Sequence, residues 1–556
     1  MSCKELFGGT YLLLNPQEAT LLDLLRLLFS SKLQNRSFIE CPVDIKAEEF
    51  RQRWLLFTSI VAQKLLFTSG NTMKMVGGNL ELWLNTLSSN GGFLGLFKNK
   101  LKGKVITPDA SSATFMSVAG FLDYRVDLDK SIQDKNDDAK YKALLSMMAS
   151  KFSYENEEYV GNAIRNHWHM KFWGLYSFWN GKVITPDASS ATFMSVAGFL
   201  DYRVDLDKSI QDKNDDAKYK ALLSMMASKF SYENEEYVGN AIRNHWHMKF
   251  WGLYSFWNDF QELWSTKAII LQDTKTKPNL IVVAFRGTQP FNSAQWITDV
   301  DLSWYELPNV GKIHSGFMKA LGLQKNGGWP KEIDQTSKSN HIYAYYTLRE
   351  ELKTMLHANE DAKFIVTGHS LGGALAILFA AILTLHEEAW LLDKLEGVYT
   401  FGQPRVGDQA FGDFMKESMR KYDVKYRRYV YCNDLVPRIP YEDKTLFFKH
   451  FGPSLYFNSL YQGQVLEEEP NKNYFSVLWV IPKILNAVWE LVRGFFLPLV
   501  KGKEYKDTWL MTLARFVGLI IPGVSAHLPP DYVNVTRLGS LREIQDLSVS
   551  ETSKTD

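Results

Sequence analysis

Phe364-Ile-Val-Thr-Gly-His-Ser-Leu-Gly-Gly-Ala-Leu-Ala376 is the stretch that decides how this chain folds. Phe364 to Thr367 is a short apolar and β-branched run and predicts a buried strand. Gly368-His369-Ser370-Leu371-Gly372 follows, and the Ala/Leu/Ile-rich run to about His386 predicts a helix. Glycines on both sides of a serine allow a sharp, strained turn that presents the hydroxyl at the carboxyl end of a sheet. The helix that starts there aims free backbone N–H groups and its positive dipole end at any oxyanion formed nearby. Ser370 is therefore the candidate nucleophile, with Gly368, His369 and Gly372 shaping its elbow.

Working outward, the carboxyl side continues the alternation. Gly397 to Phe401 reads as a strand, Gly402-Gln-Pro-Arg-Val-Gly-Asp408 as a loop capping a helix, and Tyr426 to Cys432 as a further strand ending at Asn433-Asp434. On the amino side, Ala268 to Gln272 and Leu280 to Phe285 are strands joined by a turn at Asp273 to Pro278, and Arg286-Gly287-Thr288 ends the second. Helices are expected after His314-Ser-Gly-Phe317 and over Tyr343 to Asn359. Strands alternating with helices predict an α/β fold with a mostly parallel sheet flanked by helices.

A serine hydroxyl needs a base, and the base needs an orienting carboxylate. Asp434, directly after a strand, is the candidate acid; Asp408 competes but is more simply a helix N-cap. His450 and His527 are the histidines that follow Asp434. His450 falls in Leu446 to Phe451, which reads as a strand and gives it a structural role. His527 lies in the Gly523 to Pro530 loop and is the candidate general base, whereas His369 is read as shaping the turn. The oxyanion hole is expected from the backbone N–H groups of Leu371 and Thr288.

Composition narrows the alternatives. With 63 Lys+Arg against 62 Asp+Glu, the chain lacks the basic excess of a nucleic-acid binder. Three cysteines give no disulfide framework, which suits a cytosol-facing compartment. No signal peptide is read at the amino terminus. No cofactor or metal is expected, because no His/Cys/Asp cluster suggests one.

Residues 1–102 form an apolar, helical region. Within it, Trp54 to Phe67 suits either a buried helix or a membrane-interface segment. Gly103 to Asn180 then recurs without a change as Gly181 to Asn258. Two unchanged copies suggest a recent duplication or a gene-model error rather than a working repeat array, which would have drifted. Residues 181–258 are expected to dock on the hydrolase domain at 259–539, through the amphipathic pattern seen at Asp137 to Phe152. The copy at 103–180 is expected to pack loosely, and 540–556 to be a disordered tail. An apolar insertion, 474–522, precedes His527. In Tyr474 to Val500, Lys483, Asn486, Glu490 and Arg493 share one helical face and the rest is mostly apolar. That is the pattern of a helix lying in a membrane or other lipid surface, its length limited by Pro482 and Pro498. The alternative is a helix covering the hydrolase core.

Phe285-Arg-Gly-Thr288, His314-Ser-Gly-Phe317, Gly368 to Gly373, Phe401 to Asp408 and Asn433-Asp-Leu-Val-Pro-Arg438 together resemble the fungal-type class 3 lipases. Tyr431 to Pro440 and Phe447 to Gly452 resemble the plant oil-body triacylglycerol lipases within that family. The resemblance implies an α/β-hydrolase acting on acylglycerols at lipid-droplet or membrane surfaces, with Ser370, Asp434 and His527 as its triad. It implies that Asn292 to Asp299 is a lid. The rival readings are a phospholipase or galactolipase A1-type hydrolase of polar lipids, and a catalytically silent droplet-surface scaffold.

Overall fold

A computed structural model describes residues 11–33, 36–41, 47, 49–69, 92–102, 200–201, 203–206, 216–288, 297, 300–323, 341–440, 442, 448–468, 470–471, 474, 480–501, 505 and 507–541. These fall into two compact units. One comprises Met1–Gly70, Val196–Glu233 and Ala241–Asp556, the other Asn71–Ser195 and Asn234–Asn240. The repeat copy at 103–180, the lid patch Asn292 to Asp299 apart from Ile297, and the tail beyond Leu541 lie outside the described residues.

The larger unit opens with strand β1 (Tyr11–Leu14), helix α1 (Leu21–Phe29), strand β2 (Ile39–Glu40) and helix α2 (Phe50–Thr68). Thr20 and Asp23 form a reciprocal capping box that starts α1. The run at Trp54 to Phe67 lies within α2, which buries Leu56 and Ile60 and leaves Trp54, Leu65 and Phe67 exposed. The smaller unit holds α3 (Gly92–Leu101). Helix α4 (Asp216–Phe230) belongs to the larger unit, and α5 (Glu235–Asn240) to the smaller.

Strands β3 (Lys249–Asn258), β4 (Leu263–Asp273) and β5 (Leu280–Phe285) follow, then β6 (Trp304–Leu307), β7 (Gly311–His314), α6 (Ser315–Ala320) and α7 (Ala344–His357). The centre of the fold is β8 (Lys363–His369) and α8 (Leu371–Leu385), followed by α9 (Ala389–Lys394) and β9 (Leu395–Phe401). The last part comprises α10 (Gln409–Lys421), β10 (Lys425–Tyr431), β11 (Ser454–Phe457), β12 (Gln462–Leu466), α11 (Val480–Lys501), α12 (Trp509–Ile520), α13 (Pro529–Leu538) and β13 (Ser540–Leu541).

Among the described residues, the main sheet runs β13-β12-β11-β10-β9-β8-β5-β4-β3. Its central strands β5, β8, β9, β10 and β11 pair in parallel, and antiparallel strands flank them. Every residue of β5 and all of β8 except Lys363 are buried, as near-continuous apolar strands must be when both faces are covered. Phe364 and Val366 face the core formed with α6, α7 and α8. Thr367 faces the other way, where its hydroxyl lies 3.1 Å from Ser228 of α4. The second repeat copy thus supplies both α4 and the edge strand β3. Its Tyr219, Leu222, Leu223 and Met226, spaced as one helical face, are all buried. Helix α8 buries all but Thr384 because it is apolar on every side. A second sheet, β2-β1-β6-β7, ties the N-terminal strands to β6.

Three local expectations are corrected. Leu446 to Phe451 contains no strand among its described residues. Lys449 makes only an isolated bridge to Gly407, and the loop is held by His450 against the Pro437 carbonyl. The tail at 540–556 does not begin disordered, since Ser540 and Leu541 pair with β12. Helix α11 runs from just before Pro482 to just past Pro498; Pro482 lies in the first turn, where a missing N–H costs nothing. Its polar stripe faces the protein: Lys483, Glu490 and Arg493 are buried while its exposed residues are apolar.

Candidate active site

The elbow is built by steric necessity. Ser370 sits at φ 60° and ψ −132°, a region that costs a non-glycine residue about 1–3 kcal/mol. The two flanking glycines make the turn possible. A Cβ on Gly368 would lie 2.1 Å from the Gly372 carbonyl, and one on Gly372 would lie 2.3 Å from the Phe285 carbonyl oxygen. Backbone bonds hold the strained residue: Ser370 N–H donates to the Phe401 carbonyl at 2.8 Å, and Gly373 N–H donates to the Ser370 carbonyl at 2.9 Å.

The fold brings Ser370, Asp434 and His527 together from 93 and 157 residues apart. His527 Nδ1 lies 3.0 and 2.9 Å from the two Asp434 carboxylate oxygens, and His527 Nε2 lies 2.8 Å from Ser370 Oγ. A carboxylate only accepts, so Nδ1 carries the proton and the Nε2 lone pair faces the serine hydroxyl. Asp434 is fully buried beyond the end of β10, its N–H donating to the Tyr431 carbonyl at 3.0 Å. Its carboxylate also accepts the Val436 N–H at 2.8 Å and the Tyr532 hydroxyl. Burial and the adjacent Asp434 charge push the Tyr532 hydroxyl well above its ordinary pKa, so it stays a donor.

The competitor residues go elsewhere. Asp408 caps α10, accepting the Phe411 N–H at 2.9 Å. His369 is fully buried, with Nε2 2.8 Å from the His527 carbonyl and Nδ1 2.9 Å from the Tyr232 hydroxyl. Because a carbonyl only accepts, Nε2 is the protonated nitrogen and Nδ1 accepts from Tyr232. Burial, reinforced by His527, holds the His369 pKa well below the ordinary histidine value, so the ring is neutral. His369 thus ties the backbone of His527 to the tyrosine. Its own ring also stacks on that of His527 at 4.7 Å.

Thr288 is buried, and its loop presses on the elbow. A Cβ on Gly287 would lie 2.5 Å from the His369 carbonyl oxygen and 3.0 Å from Ser370 Cβ. Leu371 is the first residue of α8. Three participants were missed from sequence: Tyr532, Tyr232 and Gly402. Tyrosines carry no spacing signal for contacts 137 and 98 residues away. Gly402, at φ +60°, could have been suspected from its place directly after a strand. A Cβ there would lie 2.8 Å from Asp434 Oδ2 and 3.0 Å from His527 Nδ1. Among the described residues no group of three or more His, Cys, Asp or Glu side chains could hold a metal ion.

The family profile described as lipase (class 3) matches residues 282–444. A Nicotiana tabacum protein named triacylglycerol lipase OBL1 is 38% identical, over 89% of this chain and 84% of its own length. An Arabidopsis thaliana protein of the same name is 36% identical, over 97% of this chain and 96% of its own. Among solved structures, a Rhizomucor miehei triacylglyceride lipase is 24% identical, covering 45% of this chain and 81% of that one with a TM-score of 0.33.

Proposed function

The chain belongs to the class 3 lipase family, and from that premise we propose that it is a triacylglycerol lipase, a serine carboxylic-ester hydrolase that works at a lipid surface. The observation that carries the reading is His527 lying between the Ser370 hydroxyl and the buried Asp434 carboxylate.

Ser370 Oγ attacks the ester carbonyl as His527 Nε2 takes its proton. Asp434 holds the ring in the tautomer that leaves Nε2 free and stabilises the imidazolium that forms. The backbone N–H groups of Leu371 and Thr288 stabilise the tetrahedral oxyanion. His527 returns the proton to the departing glycerol oxygen, which leaves an acyl-Ser370 ester. Water, deprotonated by the same nitrogen, then attacks that ester; the carbonyl re-forms, the fatty acid departs and Ser370 Oγ recovers its proton. A triacylglycerol is insoluble, so this chemistry requires the protein to sit at the substrate's surface. We assign it to the cytosol-facing surface of lipid droplets.

The test is fatty-acid release from emulsified trioleoylglycerol. It uses the full chain, the chain lacking Gly103 to Asn180, and Ser370→Ala in each, with phosphatidylcholine as the competing substrate. Release by either parent, abolished by Ser370→Ala and several-fold slower on phosphatidylcholine, is the expected result. Folded parents that release nothing from either lipid would leave the scaffold reading in its place.

A further inference from the structure

Helices α11 and α12 are built inside out. In α11, Lys483, Glu490 and Arg493 are buried, and in α12 so is Arg515. Arg515 pairs with Asp507 at 2.9 Å, with Glu490 at 3.6 Å and with Asp531 of α13 at 3.1 Å. Arg493 reaches the same Asp531 at 3.3 Å, and the Tyr461 hydroxyl donates to it at 2.8 Å. The outward side carries the opposite chemistry. Ile481, Leu485, Phe496 and Leu499 of α11, with Phe516 and Ile520 of α12, stand exposed. Among the described residues of both helices every exposed side chain is apolar.

In water, ion pairs belong outside and leucines inside, because buried pairs rarely repay their desolvation. The reverse arrangement is the one found where the surrounding medium is itself apolar, and ionisable groups turn to the protein interior. A protein partner would be met differently, through a polar rim and about one hydrogen bond per 100–200 Å². On the outer face of α11, Trp489 carries the only hydrogen-bonding side chain among its exposed residues, and its Nε1–H is already given to Ser459 Oγ at 3.1 Å. No described helix is long and apolar enough to cross a membrane, so the face is suited to lying on lipid rather than spanning it. The face is also continuous with the site. Helix α12 leads within seven residues to His527, and the shared Asp531 directly precedes Tyr532, which holds Asp434.

Resting on the lipase reading above, we propose that the outer faces of α11 and α12 are the docking surface that seats this protein on a phospholipid-coated triacylglycerol droplet. Seated there, the loop carrying His527 opens at the surface where the substrate lies. The inner charge network fixes the pair of helices to α13, so the docked face and the catalytic pair move as one piece.

The experiment is flotation of the full chain with phosphatidylcholine-coated triolein emulsion. It is run in a Ser370→Ala background so that no product alters the surface. The triple variant Leu485→Glu/Phe496→Glu/Ile520→Glu is compared with its parent and with Leu21→Glu/Phe29→Glu on α1. We expect the triple variant to lose at least tenfold in floated fraction, with a thermal midpoint within a few degrees of the parent. Should it fail to fold, Leu485→Ser/Ile520→Ser replaces it, with at least threefold expected. Flotation equal to the parent's overturns the proposal. So does release by the α1 variant alone, equal capture by phosphatidylcholine vesicles without triolein, or a change only in self-association by sedimentation. Catalytically intact protein is assayed in parallel. A chain that floats but hydrolyses no triacylglycerol removes the lipase reading and leaves the surface standing. Hydrolysis with unchanged flotation of the triple variant removes the surface alone.

Discussion

Replacing Gly402 by alanine puts a methyl group against the contact between His527 and Asp434. The new Cβ would lie 2.8 Å from Asp434 Oδ2 and 3.0 Å from His527 Nδ1 and Cε1, where ordinary contacts run 3.4–4 Å. The carboxylate and ring must therefore yield by roughly half an ångström. Because a misplacement of about 1 Å costs about 10²-fold, turnover of a soluble short-chain ester should fall about 10–100-fold. Stability falls for two reasons. The left-handed φ of +60° costs alanine about 1–2 kcal/mol, and overpacking adds about 1–3 kcal/mol. Gly452→Ala isolates the first of these. It also has positive φ, 66°, but its Cβ meets only the Tyr426 ring at 3.4 Å. Urea unfolding and ester hydrolysis are measured on both variants. Gly452→Ala should lose about 1–2 kcal/mol and keep its activity; Gly402→Ala should lose more stability and most of its turnover. If Gly402→Ala hydrolyses as the parent does and is no less stable than Gly452→Ala, the base and acid are not held by close packing around Gly402.

Asp434→Asn should lower kcat about 10⁴-fold, because an NH2 donor in place of a carboxylate oxygen favours the wrong histidine tautomer. Asp408→Ala should cost only a helix cap, about 1 kcal/mol by denaturant titration, with kcat unchanged. Tyr532→Phe takes a hydrogen bond from a buried carboxylate, worth about 1.5–3 kcal/mol, and should slow turnover about tenfold; unchanged kcat in steady-state assays would show that Val436 and His527 suffice to hold Asp434. His314 and His369 are buried and neutral, with burial the first cause of both lowered pKa values. Their unfolded value is about 6.5. Below it the unfolded chain takes up protons that the native state refuses, so stability is full above about pH 7.5 and is lost as pH falls through 6.5. Each histidine contributes at most about 1.4 kcal/mol per pH unit, so unfolding free energies from urea titrations at pH 7.5 and 5.5 should differ by up to roughly 3 kcal/mol. A flat profile would refute the neutral assignment.

Much was legible in the chain because the signals are local. The apolar run of Phe364 to Thr367, two glycines around Ser370 and an all-apolar helix dictate strand, strained turn and buried helix within a few residues of each other. The alternation of strands and helices on either side then dictates a parallel sheet. Asp434 and His527 were recoverable as candidates because each follows a recognisable element, a strand end and a long apolar insertion. Their meeting was not, since contacts across 93 and 157 residues depend on how the elements stack. The same holds for Tyr232 against His369 and Tyr532 against Asp434, where an ordinary aromatic becomes a positioning group only through its neighbour. Periodicity put Lys483, Glu490 and Arg493 on one stripe of α11. It could not say which side of that stripe would meet the protein, because an amphipathic pattern is symmetric with respect to inside and outside. The partners that meet those charges, Arg515 for Glu490 and Asp531 for Arg493, come from other segments of the chain. Local sequence therefore determined the elements and the strained turn that presents Ser370. Tertiary packing alone decided that Asp434, His527 and the tyrosines meet around that serine, and that the apolar faces of two helices stay exposed.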